Sequence, residues 1–134
     1  MKYMLDTNIC IYAIKKKPPA VIRRILATNP EQLCISSITY AELMYGAEKS
    51  QWKERSRTAL ALMMASITIL NFDGKAAEMY GMIRAELEAR GTPIGSMDML
   101  IAAHAMAEEL TVVTNNIREF SRIEELRVED WTQE

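Results

Sequence analysis

Short apolar runs ending on polar residues punctuate the chain, and each is followed by a longer segment with apolar positions three and four apart. Lys2 to Leu5 is the first run, and it ends on Asp6. Thr7 and Asn8 follow, residues that accept hydrogen bonds locally and open helices. Ile9, Ile11, Tyr12 and Ile14 then predict a helix. Lys15-Lys16-Lys17-Pro18-Pro19 breaks it, and the prolines lead into a second helix from about Ala20 to Ala27. Thr28-Asn29-Pro30 is a turn, and Leu33 to Ser36 reads as a second strand. Ser37 or Thr39 caps a helix with Leu43, Met44 and Ala47 on one side; Gln51 to Ala65 is another, striped by Leu60, Met63 and Met64. Ile67 to Leu70 is a third strand. Asp73 is the N-cap of a helix reaching about Ala89, with Met79, Met82, Ile83 and Leu87 inward. After a loop at Gly91-Thr92-Pro93-Ile94-Gly95, Ser96 caps a helix carrying Leu100, Ile101, Ala103 and Ala107. Thr111 to Thr114 is a fourth strand, followed by a helical turn at Asn116 to Phe120 and a final strand at Arg127 to Glu129. Strands alternating with helices throughout predict one α/β domain over residues 1–134, with a central parallel sheet of four to five strands flanked by helices on both faces. No repeat, low-complexity segment or linker interrupts it.

Composition changes this picture little. The 134 residues are 49% hydrophobic and 25% charged, ordinary for a globular domain with a real core. A net charge of −2 does not mark a nucleic-acid binder by bulk composition; only local placement of charge can. Cys10 and Cys34 sit in apolar settings with no Cys or His at ligand spacing, which reads as buried thiols in a reducing compartment. The longest apolar run, Ala59 to Ala65, is far below the ~20 residues of a membrane span. The N-terminus lacks the cationic-then-apolar layout of a signal peptide, so a cytoplasmic protein is expected.

The chemistry rests on polar residues that follow strands. Asp6 follows the first strand, and Glu42 lies early in the helix after the second. Asp98 lies in the first turn of the helix after the glycine-bounded loop. Thr114, Asn115, Asn116 and Glu119 follow the fourth strand. In a parallel sheet all strand carboxyl ends point the same way, so these residues converge although they span more than a hundred positions. Carboxylates brought together repel unless a proton or cation lies between them. Hard oxygen donors suit Mg²⁺ or Mn²⁺, and the absence of a His/Cys cluster argues against zinc.

Taken in order, Met4-Leu5-Asp6-Thr7-Asn8, Ser36-Ser37-Ile38-Thr39 with Glu42-Leu43, Gly91 to Gly95 with Asp98 and Ile101 to Ala105, and Val113-Thr114-Asn115-Asn116 with Glu119-Phe120 resemble the PIN-domain ribonucleases, in particular the VapC toxins of type II toxin–antitoxin systems. The resemblance covers nearly the whole chain. It implies an endoribonuclease dependent on Mg²⁺, with Mn²⁺ as substitute, usually dimeric and held inactive by a VapB antitoxin. It is similar above all to the subgroup that cleaves initiator tRNA in the anticodon region and so inhibits translation. Residue by residue, the resemblance makes Asp6 and Asp98 the metal-binding aspartates and Glu42 the third acid. Many PIN domains carry an acid where this sequence has Asn116; Glu119, three positions on and on the same helix face, is its candidate replacement. Thr114 and Asn115 match supporting polar residues, and Thr7 and Asn8 take the same role around Asp6. The implied mechanism is metal-assisted phosphodiester hydrolysis without a side-chain nucleophile.

Each residue also has a purely structural reading. Asp6 could cap its helix, Thr39-x-x-Glu42 has the form of a capping box, and Asp98 suits a positive helix end. His104 lies about 600° around the helix from Asp98, which makes it a packed or hydrogen-bonded residue rather than a base. Lys15, Lys16, Lys17, Lys49, Lys53, Arg84 and Arg90 are the candidate phosphate contacts, with solvated charge as the alternative. Two other functions remain: a non-catalytic PIN-fold module that binds RNA or protein, and a different metal-dependent phosphotransfer enzyme, such as a nuclease acting on DNA or a phosphatase. Asn8, where aspartyl phosphatases carry a second Asp, weighs against the phosphatase.

Overall fold

The computed structural model describes residues 1–133. Strand β1 is Tyr3–Leu5, followed by helices α1 (Thr7–Lys15) and α2 (Pro19–Leu26). A 3₁₀ turn at Pro30–Gln32 leads to β2 (Leu33–Ser36), then α3 (Ser37–Lys49) and α4 (Lys53–Met64). β3 (Thr68–Leu70) precedes α5 (Gly74–Ala89) and α6 (Ser96–Ala107). β4 (Thr111–Val113), α7 (Ile117–Phe120) and β5 (Val128–Glu129) complete the described elements.

The strands form one sheet in the order β3-β2-β1-β4-β5, and every pairing is parallel. Successive strand side chains point to opposite faces. Tyr3, Leu5, Leu33, Ile35 and Val113 pack on one face with Ile9, Val21, Leu43 and Leu60 of α1 to α4. Met4, Cys34 and Val112 pack on the other with Ile83 and Leu87 of α5 and Ile101 of α6. Because β1, β2 and β4 are covered on both faces, they read as continuous apolar runs rather than alternating ones. Both cysteines are buried and free.

The path of the chain decides where a ligand can reach. β2 and β3 extend the sheet to one side of β1; β4 and β5 extend it to the other. The reversal falls between β1 and β4, and such a switch point opens a crevice at the strands' carboxyl ends. Asp6 and Thr114 are the first residues beyond those two ends.

Local details depart from the sequence reading in three places. Ser36, not Ser37 or Thr39, caps α3, its Oγ accepting from the Ile38 amide at 3.1 Å. Ser37 Oγ instead accepts from the Phe72 amide at 3.0 Å and ties α3 to the end of β3. At α6 the cap position is Gly95, with Ser96 already helical and no side-chain cap. Met82 is 68% exposed, because the buried stripe of α5 runs through Ala76, Ile83 and Leu87 and leaves its neighbour a hundred degrees off. Asp73 caps α5 as expected, accepting from the Ala76 amide at 3.1 Å.

Trp131 seals the β1 side of the sheet. Its ring meets Tyr3 edge-on at 5.0 Å, and its Nε1 donates to Glu129 at 3.0 Å. Trp131→Ala is expected to cost about 3–5 kcal/mol, read as a lower urea midpoint, as for other large aromatic truncations in a core.

Candidate functional site

Asp6 is placed by the sheet. Its backbone N–H continues the β1–β4 ladder by donating to Val113 O at 3.0 Å. Its backbone is extended, and its Oδ1 accepts from the Ile9 amide at 2.9 Å, so it does cap α1. Capping is only part of its role: the carboxylate is 3% exposed and faces the Thr114 hydroxyl. Burial pushes its pKa up from 3.8 to about 6. Hydrogen bonds from Thr114 and Ile9 oppose the rise, and the charges of Asp98 and Glu42 add to it.

Glu42 approaches from the second turn of α3. Thr7 Oγ1 donates to its Oε1 at 2.6 Å, bridging the start of α1 to α3. With Ser36 holding the cap, Glu42 is free of the capping-box role its spacing from Thr39 allowed. Asp98 comes from the first turn of α6 and is half-buried. Its pKa is raised, first by burial and then by Glu119 and Glu42, against a hydrogen bond from Asn116. Asn116 Nδ2 donates to Asp98 Oδ2 at 3.0 Å and also to Glu119 Oε2. The Asn116 amide N–H in turn donates to Thr114 Oγ1 at 2.9 Å.

Asp6, Glu42, Asp98 and Glu119 therefore meet at the switch point, linked through Thr7, Thr114 and Asn116. Two expected supports make no hydrogen bond to the acids among the described residues. Asn8 is exposed and has no hydrogen bond to any of the acids among the described residues. Asn115 is also exposed, and its Nδ2 donates to the Tyr12 hydroxyl at 3.0 Å, joining the end of β4 to α1. His104 is buried, bonded through Nδ1 to Ser36 Oγ at 2.8 Å and edge-on to Phe72.

Among the described residues no Lys or Arg pairs with any of the four acids. No three His, Cys, Asp or Glu side chains close on one point as a ready-made metal cage there. The donors are all oxygen and arrive from separate elements. That set fits a hydrated Mg²⁺ or Mn²⁺, which takes one or two carboxylates and keeps several waters, rather than a closed zinc site.

The cations divide by face. Arg84 is engaged with Glu88 and Tyr80, and Arg90 with Glu86 and Glu124, so these two candidates belong to the ion-paired surface of α5. Lys15 and Lys49 line a groove of about 550 Å³ beside Glu42. Arg55 joins them there, a residue the sequence reading missed because only the packing of α4 against α1 and α3 brings it in.

Comparison with known proteins agrees with this geometry. The family profile described as PIN domain matches residues 3–126. The chain belongs to the PIN-domain family. This PIN domain is 49% identical over 132 residues to a Shigella flexneri protein named tRNA(fMet)-specific endonuclease VapC, covering 98% of this chain and 99% of that one. Among solved structures, DNA-bound VapBC from Salmonella typhimurium matches at a TM-score of 0.92 and 49% identity, covering 98% of each chain. VapBC2 from Rickettsia felis, bound to a fragment of its promoter, matches at 0.91 and 45%, covering 98% of this chain and 99% of that one.

A buried acid with a raised pKa favours the folded state while protonated. That contribution is complete below 3.8 and is lost as pH rises through about 6. In metal-free buffer the wild type is therefore expected to lose up to about 3 kcal/mol through Asp6 between pH 4 and 7, since each tenfold change in acidity between the two pKa values is worth about 1.4 kcal/mol. Asp6→Asn, which keeps an oxygen for the Ile9 amide, should lack this loss. Urea titrations of both proteins across that range check it.

Proposed function

We propose that this PIN domain is the toxin of a VapBC toxin–antitoxin pair, an endoribonuclease dependent on Mg²⁺ or Mn²⁺ that cuts initiator tRNA in the anticodon region and so stops translation. The observation carrying the proposal is the convergence of Asp6, Asp98 and Glu42, unpaired by any described cation, at the switch point of the sheet. The full-length likeness to relatives named as tRNA(fMet)-specific endonucleases supports the choice of substrate.

Asp6 and Asp98 would hold the cation. The chemistry it would supply there is Lewis-acid polarisation of the scissile phosphate and of the attacking water. Glu42, fixed by Thr7, orients the attacking water on the side of the site facing the groove. Thr114 serves twice, supporting the Asp6 carboxylate and fixing the Asn116 backbone. Lys15, Lys49 and Arg55 contact backbone phosphates of the RNA; none has an ion-pair partner among the described residues.

A VapB-type antitoxin is the cognate partner, in keeping with the VapBC complexes among the solved relatives. A second copy of the chain completes the toxin, and exposed apolar side chains such as Met82 are suited to that contact. No helix among the described residues is long and apolar enough to cross a membrane. The cytoplasm, where the proposed substrate and antitoxin reside, is the assigned location.

Purified tRNAs incubated with the protein test this reading. One discrete cut in initiator tRNA is expected with Mg²⁺ or Mn²⁺, and no cut with EDTA or in Asp6→Ala. Intact tRNA, total RNA and single-stranded DNA under all conditions would leave only a binding module. Thr7→Val, which releases Glu42 while keeping the shape of the side chain, should lower kcat about tenfold to a hundredfold with KM little changed.

A further inference from the structure

We infer that Asn116 restricts this site to a single divalent cation, its side-chain amide standing between Asp98 and Glu119 where a second cation would otherwise be needed. The inference rests on the metal-dependent reading above.

A carboxamide nitrogen carries two hydrogens and accepts no hydrogen bond. In Asn116 it is directed at Asp98 Oδ2, 3.0 Å away, and at Glu119 Oε2. The reverse orientation would place the amide oxygen against two carboxylates with no hydrogen between them, so electrostatics fixes which way the amide faces. The backbone fixes where it sits. Asn116 occupies the N-cap position of α7, and its own N–H is held by Thr114 Oγ1 at 2.9 Å. Thr114 in turn borders Asp6, so the amide is tied to the same strand end as the first acid.

Two adjacent carboxylates require a proton, a cation or strong donors between them. Asn116 supplies the donors without net charge, which removes the need for an ion on that side. A single cation is then left to Asp6 and the remaining oxygen of Asp98. Glu119 becomes a positioning residue: it holds the amide in place and does not ligate the metal.

Mn²⁺ binding to the full chain at pH 7, counted by calorimetry and by electron paramagnetic resonance, tests this without reference to cleavage. The wild type should bind one Mn²⁺ per chain. Asn116→Asp should bind two and show the spectrum of a coupled pair, because a third carboxylate replaces the donors. The Asn116 side chain makes no cap hydrogen bond to α7, so the substitution removes no helix contact and the fold should persist, which circular dichroism would verify. Glu119→Gln keeps an oxygen for the Asn116 amide and should retain one Mn²⁺ with affinity within about twofold. Asp98→Asn should lose at least tenfold. Two ions in the wild type, one ion in folded Asn116→Asp, or a tenfold loss in Glu119→Gln would each overturn the inference while leaving a metal enzyme. A wild type that binds no Mn²⁺ would instead overturn the metal-dependent reading on which it rests.

Discussion

The pairing of β1 with β4 is the constraint from which the site follows. Tyr3, Met4 and Leu5 run in register with Thr111, Val112 and Val113, and the ladder continues one step further through the Asp6 amide to Val113 O. That last bond sets an acid and the residues of the β4 exit side by side. It also lies where the order of the strands reverses, so that no helix crosses directly over the two carboxyl ends. Once β1 and β4 are aligned, α1 must leave from Asp6 and α7 must begin near Asn116. α3 and α6 then need only deliver one acid each.

Burial and repulsion give the site its chemical character. Asp6 is almost fully removed from water, and its neighbours of the same sign raise the cost of ionising it further. Such an arrangement costs stability at neutral pH, where the buried carboxyl must ionise. Asn116 relieves the repulsion on the opposite side of Asp98 without charge. The cost of ionisation is thus graded across the site, with Asp6 the most deeply buried of its acids.

Cation placement follows the same logic on a larger scale. Arg84 of α5 and Arg90 just after it are engaged by Glu88, Glu86 and Glu124, so their charge is offset locally. Around the groove beside Glu42, Lys49 lies over the Tyr45 ring and Arg55 over the Trp52 ring, contacts that hold a cation without neutralising it. A chain with net charge −2 can therefore present a positive rim next to an acidic centre.

The order of elements, the parallel sheet and the convergence of Asp6, Glu42 and Asp98 were determined by the sequence alone. Apolar runs that end on acids reveal strand exits, and parallel topology makes those exits share one edge. The PIN-domain resemblance rested on the same residues, because it is their order and spacing that carries the family. Only the tertiary structure decided the rest. Whether Ser36, Ser37 or Thr39 caps α3 depends on where β2 stops and on Phe72, thirty-five residues from Ser37. The recruitment of Thr7 to Glu42, of Asn115 to Tyr12 rather than to an acid, and of Arg55 to the groove depends on helix packing between distant segments. Periodicity reports which face of an element is apolar; it carries no information on what a polar side chain will find across a gap that only folding closes.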